Sequence, residues 1–117
     1  MNRTVVIVDD HPSFRASARA ILQSEGFEVV GEAEDGASAV AAVRALHPEI
    51  LLLDVQLPDM NGFDVIKLLP ENGSGPAVVL VSSRDASDYG DLIAESGANG
   101  FIAKDELSGS AVSDLLE

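Results

Sequence analysis

Short apolar runs alternate with amphipathic stretches five times along this chain. The runs predict buried strands, and the stretches, in which apolar residues recur every three or four positions, predict helices. A strand that is apolar at every position, as the third run is, is typical of a central strand covered on both faces. The pattern therefore predicts a parallel sheet with helices on both faces. The predicted strands are Thr4–Val8, Phe27–Ala33, Ile50–Leu53, Ala77–Val81 and Asn99–Ala103.

The helices have recognisable start and stop signals. Pro12 stands in the first turn of the first helix, which Gly26 ends. Asp35 is a good N-cap for the second helix, and Asp85 for the fourth, in which Gly90 costs about 1 kcal/mol relative to Ala. These three helices should run to about residues 25, 46 and 96, with two more at about 63–69 and 108–116. Their predicted inward positions are Phe14, Ala18, Ile21 and Leu22, then Ala39, Val40, Val43 and Leu46, then Ala86, Tyr89, Leu92 and Ile93.

Composition narrows the function classes. A chain of 117 residues is long enough for one domain, and the absence of cysteine excludes disulfides and thiolate metal sites. The formal charge of −13 opposes direct binding to nucleic acid. No apolar run is long enough to span a membrane and no signal peptide is evident, so we expect a cytoplasmic protein without membrane contact.

Charged side chains follow three of the predicted strands directly. Asp9 and Asp10 follow the first strand, Asp54 the third and Lys104 the fifth. The carboxyl ends of parallel strands open on one edge of the sheet, where α/β proteins place their ligands. Crowded carboxylates repel one another unless a cation intervenes, and Mg²⁺ prefers oxygen ligands. The pattern predicts a site for Mg²⁺ and a phosphoryl group, with one of the two neighbouring acids coordinating directly and the other through water.

Asp54 is the candidate nucleophile in this site. A carboxylate can accept a phosphoryl group as an acyl phosphate, whose charge the metal and Lys104 would balance. Ser82, at the end of the fourth strand, offers a hydroxyl to a phosphoryl oxygen.

Four motifs, VVIVDD, LLLDVQLPDMNG, VVLVSS and GFIAK, together resemble a bacterial response-regulator receiver domain over about residues 4–116. The resemblance implies a flavodoxin-like, three-layer α/β/α sandwich with five helices and a five-stranded parallel sheet of order 2-1-3-4-5. It implies that Asp54 accepts a phosphoryl group from a sensor histidine kinase or phosphotransfer protein. It also implies that Asp10, Asp54 and the backbone carbonyl of Gln56 bind Mg²⁺, and that Asp9 acts through water.

The same resemblance assigns the conformational switch. Ser82 would move toward the phosphoryl group, Lys104 would contact it, and Phe101 would turn inward, changing the surface of the fourth helix, fifth strand and fifth helix. Gln56 and Arg84 would tune the hydrolysis of the acyl phosphate. Such a domain is a signalling module that catalyses only its own phosphotransfer and slow autodephosphorylation.

Two features bear on the wider protein. Most receivers have a cis proline after the lysine, but Asp105 follows Lys104, so we expect a trans bond. The Lys-Asp pair is similar to receivers of the NarL/LuxR class, which normally continue into a DNA-binding domain and regulate transcription. We expect one receiver domain over residues 1–117 without an output domain. Whether it stands alone or belongs to a longer regulator stays open, and a homodimer is compatible with the sequence.

Some alternatives remain at this stage. A haloacid-dehalogenase-like phosphatase would need an Asp-x-Asp-x-Thr motif, which the segment from Asp9 to Ser13 lacks. A pseudo-receiver that works without phosphorylation would normally have lost an acid or the lysine. For His11 we favour an exposed position at a helix start over a metal-binding or phosphotransfer role. Phe14 could equally be a kinase-docking contact or a core residue.

Overall fold

A computed structural model describes residues 3–70 and 75–116 of this chain. Strands and helices alternate along it, close to the predicted positions. The strands are β1 Thr4–Val8, β2 Glu28–Ala33, β3 Ile50–Asp54, β4 Ala77–Ser82 and β5 Gly100–Ala103. The helices are α1 Pro12–Ser24, α2 Gly36–Leu46, α3 Gly62–Lys67, α4 Leu92–Glu95 and α5 Gly109–Leu116, with 3-10 turns at Ala86–Tyr89 and Lys104–Glu106.

The five strands form one parallel sheet in the order β2-β1-β3-β4-β5. The chain starts in the middle of the sheet, adds β2 on one side and then builds outward on the other. The register places Val8 opposite Leu53, and Ser82 opposite Ala103. Because the strands are parallel, all their carboxyl ends lie at the same edge of the sheet. The strand order confirms the predicted flavodoxin-like arrangement.

Alternate residues of the strands point to opposite faces of the sheet and pack into two separate hydrophobic cores. Val6 and Leu53 face the layer of α2, α3 and α4, whereas Ile7 and Leu52 face α1 and α5. These side chains are almost fully buried, since the central strands have helices on both sides. The three-layer α/β/α arrangement predicted from the sequence is confirmed. None of the helices in the described ranges is long and apolar enough to cross a membrane.

The predicted single helix from Asp85 to Ser96 is wrong. The segment is divided into the 3-10 turn Ala86–Tyr89 and the four-residue helix α4, because Gly90 between them has φ +55° and ψ −127°. Only glycine adopts this backbone conformation readily, so Gly90 acts as a break and not as a weak helical residue. As a consequence, Ala86 and Leu92 are exposed instead of buried, while Tyr89 and Ile93 do pack against the core.

Leu46 also differs from its predicted inward position, since 45% of its surface is exposed. It is the last residue of α2, and His47 after it turns the chain with φ 47°. Leu46 lies over Gly31 on β2, the edge strand, beyond which no further strand covers it. The other end of α2 is as predicted, because the Asp35 carboxylate accepts the Ser38 N–H as an N-cap.

Candidate functional site

Two buried carboxylates lie side by side at the carboxyl edge of the sheet. Asp9 directly follows β1 and Asp54 ends the neighbouring β3, and both are almost inaccessible to solvent. Asp10 and His11 continue the chain after Asp9 and are exposed. One potential ligand atom from each of these four residues lies within 4.8 Å of the others. The structure therefore brings together the three acids that the sequence predicted, and adds His11.

Lys104 supplies the positive charge among these acids. It directly follows β5, and its Nζ lies 2.6 Å from Asp9 Oδ2 and 3.3 Å from Asp54 Oδ2. Its side chain is only 17% exposed, and Nζ lies over the ring of Phe14, 4.7 Å from the centroid. Phe14 lies on α1 and is partly buried against the core between the sheet and the layer of α1 and α5, so its ring helps to place the ammonium group. Phe14 is thus only partly buried, which fits both a core contact and the kinase-docking contact named from the sequence.

The charges around Asp54 do not balance. Burial, followed by the charge of Asp9, raises the pKa of Asp54 from 3.8 to about 6, against the opposing effects of Lys104 and the Gln56 N–H. Burial by itself would lower the pKa of Lys104, but its contacts with Asp9 and Asp54 outweigh burial and raise it. One ammonium group therefore faces two buried carboxylates, and the pocket retains excess negative charge.

The donor set fits a hard divalent cation. The buried Asp9 Oδ2 has no well-aligned hydrogen-bond donor, because its contact with Lys104 is close but poorly directed. Asp10 Oδ1 is exposed on the solvent side and lies 3.1 Å from the Nδ1 atom of His11. Carboxylate oxygens that are buried, close together and only partly neutralised are the ligands that Mg²⁺ takes while keeping some of its waters. This chemistry fits the Mg²⁺ site that the sequence predicted.

The loop after Asp54 is anchored at several points. The Gln56 N–H donates to Asp54 Oδ1 over 3.2 Å, which fixes the carboxylate from the loop side. A Cβ atom on Gly62 would lie 2.8 Å from the main-chain oxygen of Asp54, so only glycine allows α3 to start this close. Further along, the Asp59 carboxylate accepts the N–H groups of Gly36 and Ala37 over 2.8 and 3.0 Å, and these bonds lower its pKa.

Ser82 ends β4 and is fully buried. Its Oγ accepts the Arg84 N–H over 3.0 Å and lies 2.7 Å from the hydroxyl of Tyr89. The ring of Tyr89 contacts Phe101 on β5, with centroids 5.9 Å apart, and Phe63 on α3, with centroids 5.8 Å apart. Sequence reasoning placed Tyr89 in the core but missed its contact with Ser82. The only signal was its place seven residues after Ser82, which could not identify a hydroxyl partner.

The remaining predicted site residues lie at the rim. Gln56 and Arg84 are exposed, each two residues beyond the end of its strand. His11 is the N-cap residue of α1, as expected, but its ring also contacts Asp9, with Nδ1 3.0 Å from Oδ1. The bond between Lys104 and Asp105 is trans, as predicted.

Comparison with known proteins agrees with this geometry. A sequence model of the response regulator receiver domain matches residues 5–113. The DNA-binding transcriptional activator EvgA of Escherichia coli K12 is 37% identical over 101 residues, which are 86% of this chain and 50% of EvgA. The virulence-factor transcription regulator BvgA of Bordetella pertussis is 34% identical over 106 residues, 91% of this chain and 51% of BvgA. The chain thus spans about half the length of these curated relatives.

Solved structures resemble this one along nearly its full length. The receiver domain of a NarL response regulator from Mycobacterium tuberculosis has a TM-score of 0.81 and 36% identity, covering 97% of this chain and 94% of that one. A chain of the Borrelia burgdorferi complex of CheX, CheY, BeF₃ and Mg²⁺ has a TM-score of 0.83 and 27% identity, covering 97% of this chain and 86% of that one. The family match, the strand order and the acids and lysine at the sheet edge all agree: this chain belongs to the response regulator receiver domains.

Proposed function

We propose that Asp54 is the phosphoacceptor of this receiver and that it takes its phosphoryl group from a phosphohistidine on a sensor histidine kinase or phosphotransfer protein. The observation that carries the proposal is the position of Asp54 at the end of β3, buried beside Asp9 and in contact with the Lys104 ammonium group. A pseudo-receiver is not supported, because the chain retains the acids and the lysine and brings them together.

The chemistry needs an ionised and positioned nucleophile. With a pKa of about 6, the Asp54 carboxylate is mostly ionised at neutral pH, yet it is held in a largely desolvated pocket. An Asp54 oxygen forms the new bond to phosphorus while the bond from phosphorus to the histidine nitrogen breaks, and the leaving imidazole keeps the electron pair. Lys104, which already contacts Asp54, balances charge on the phosphoryl oxygens.

We assign the metal site to Asp10, Asp54 and the backbone carbonyl of Gln56, with Asp9 acting through water. Support comes from the clustering of these carboxylates and from the excess negative charge around Asp54. Bound Mg²⁺ would supply a positive charge that screens the phosphoryl oxygens from the carboxylates. Asp9 and Lys104 would hold each other in place beside that charge, since their atoms are already in contact.

The output surface lies next to the proposed switch residues. Ser82 is one hydrogen bond from Tyr89, and Tyr89 packs on Phe101, so movement of Ser82 can reach β5 through two contacts. On the surface of β5, Phe101 lines a groove of about 470 Å³ together with Ala86 and with Leu115 of α5. A rotation of Phe101 would change the shape of that groove. We propose this surface as the output face, and Gln56 and Arg84, at the rim, as residues that tune hydrolysis.

The relatives support a proposal about the wider role of the domain. EvgA and BvgA are named as transcription regulators, and this chain matches about half of each. We propose that the domain acts in the cytoplasm as the phosphorylated part of a transcription regulator, that any DNA contact is made by another part of that protein, and that the domain can form a homodimer. The domain's chemistry would be confined to its own phosphotransfer and slow autodephosphorylation.

Intact mass after incubation with acetyl phosphate tests the proposal. We expect one phosphoryl adduct when Mg²⁺ is present, and none with a chelator or in the Asp54→Asn variant. Glu49→Gln is the control, because Glu49 is exposed and directly precedes β3, at the edge of the sheet opposite the pocket. An adduct on Asp54→Asn, or one that forms equally without Mg²⁺, would refute the proposal.

A further inference from the structure

The hydroxyl of Ser82 has two partners on the segment that follows β4. The Arg84 N–H donates to Oγ, and the Tyr89 hydroxyl lies 2.7 Å away. A serine hydroxyl offers one donor and two acceptor positions, so these two partners use most of its capacity. A change of rotamer at Ser82 would carry Oγ out of hydrogen-bonding distance of Tyr89.

Packing holds the phenol of Tyr89 in place for this contact. Its ring forms a T-shaped pair with Phe63 at an interplanar angle of 68° and a tilted pair with Phe101 at 54°. Aromatic pairs prefer such inclined arrangements and gain stability from them beyond the burial of apolar area. The two ring contacts therefore help to keep the Tyr89 hydroxyl beside Ser82.

The backbone that carries Tyr89 is weakly held by comparison. Tyr89 ends a single 3-10 turn, and Gly90 separates that turn from the four-residue helix α4. Apart from Tyr89 itself, every residue of the turn is exposed. Short, exposed elements open at low free-energy cost, so Tyr89 can leave Ser82 without disrupting the sheet.

We propose that Tyr89 is a positioning residue that latches Ser82 in the resting orientation and so opposes phosphorylation-linked switching. The inference rests on the proposed function, in which Ser82 moves toward the phosphoryl group. Because Phe101 packs on the same ring, release of Tyr89 frees Phe101 at the same time. Tyr89 thus sets the population of the resting state, on which the apparent affinity for a phosphoryl group depends.

The test compares the affinity of Tyr89→Phe and the unmodified chain for beryllofluoride with Mg²⁺, a phosphoryl analogue, by calorimetry. Removing the latch should tighten binding about fivefold, which corresponds to the net value of one hydrogen bond. The same substitution in a Ser82→Ala background should change the affinity less than twofold, since the partner is already absent. Ser83→Ala, which removes an exposed neighbouring hydroxyl, is the matched control for Ser82→Ala and should bind as the unmodified chain does.

The outcomes separate the latch from the proposed function. Unchanged or weaker binding by Tyr89→Phe overturns the latch, as does an equal gain in the Ser82→Ala background. If the unmodified chain binds no beryllofluoride with Mg²⁺, the proposed function fails and the latch is withdrawn with it. A second readout is spectroscopic: Tyr89 is the one tyrosine of the chain, which has no tryptophan, so its near-ultraviolet circular dichroism should change on binding. A constant signal would overturn the latch.

Discussion

Replacing Asp54 by Asn should stabilise the metal-free protein at neutral pH. The pKa of Asp54 rises from 3.8 to about 6 on folding, which means that folding favours the neutral carboxyl group. This difference corresponds to about 3 kcal/mol. The Asp54 side chain is only 3% exposed, so solvent screening removes little of it. Asn imitates the neutral form and can keep an oxygen for the Gln56 N–H.

The sign of the effect predicts a definite pH profile. Because the pKa of Asp54 is higher in the folded state, its contribution to the free energy of unfolding is greatest below about pH 4, where the carboxyl group is neutral in both states. This contribution is lost as the pH rises through 6. Asp54→Asn should therefore match the unmodified chain near pH 4. Its advantage should grow between pH 4 and 6 and then level off at up to about 3 kcal/mol.

Urea unfolding at a series of pH values, with a chelator present, measures this profile directly. Adding Mg²⁺ should reduce the advantage at neutral pH, because a bound cation offsets the ionised carboxylate only where Asp54 is present. Glu49→Gln is the control, since it removes the same charge from an exposed position at the opposite edge of the sheet. A difference between Asp54→Asn and the unmodified chain that is constant with pH, or that has the opposite sign, would refute the reasoning.

Three further substitutions test other parts of the site. Lys104→Met keeps an apolar side chain near Phe14 but leaves Asp9 and Asp54 without their cation, so urea unfolding without Mg²⁺ should show a loss of stability of roughly 3 kcal/mol. Mg²⁺ should partly restore this loss, and equal stability of the variant with chelator and with Mg²⁺ would count against the role given to Lys104. Gly62→Ala puts a Cβ atom 2.8 Å from the Asp54 main-chain oxygen, so it should lower stability in urea unfolding by about 1–3 kcal/mol and slow phosphorylation by acetyl phosphate. Unchanged stability would show that the loop after Asp54 can move to accommodate the Cβ atom. In Gly90→Ala the added Cβ atom meets no other atom within 4 Å, so the expected loss of about 1–3 kcal/mol in thermal unfolding measures the backbone strain at φ +55° alone. An unchanged unfolding midpoint would show that the backbone of the turn relaxes.

The sheet could be predicted from the sequence because its strands are read from continuous apolar runs. Ile50–Leu53 and Val78–Val81 are buried on both faces, so every residue in them carries the same signal. The acids and Lys104 follow strand ends directly, and parallel topology alone brings such positions together. Their assembly needed no knowledge of side-chain packing.

The features that sequence reasoning missed depend on tertiary contacts or on backbone conformation. Helical spacing could not distinguish a Gly90 that weakens a helix from one that adopts a positive φ and breaks it. Leu46 has the correct spacing for the core, but the sheet ends at β2 beneath it. The partnership of Tyr89 with Ser82 joins two separate elements, and nothing in local sequence specifies it.

The attachment of Asp59 to α2 has a consequence for how the loop after Asp54 loses its order. Asp59 holds the N–H groups of Gly36 and Ala37, and Met60 fills the space beside Gly36. The loop cannot swing outward unless it also releases the first turn of α2, so the two segments share a single opening event. The exchange rates of the Gly36 and Ala37 amide hydrogens therefore report how well the loop after Asp54 is ordered. Their exchange with deuterium should slow whenever the residues beside Asp54 become better ordered.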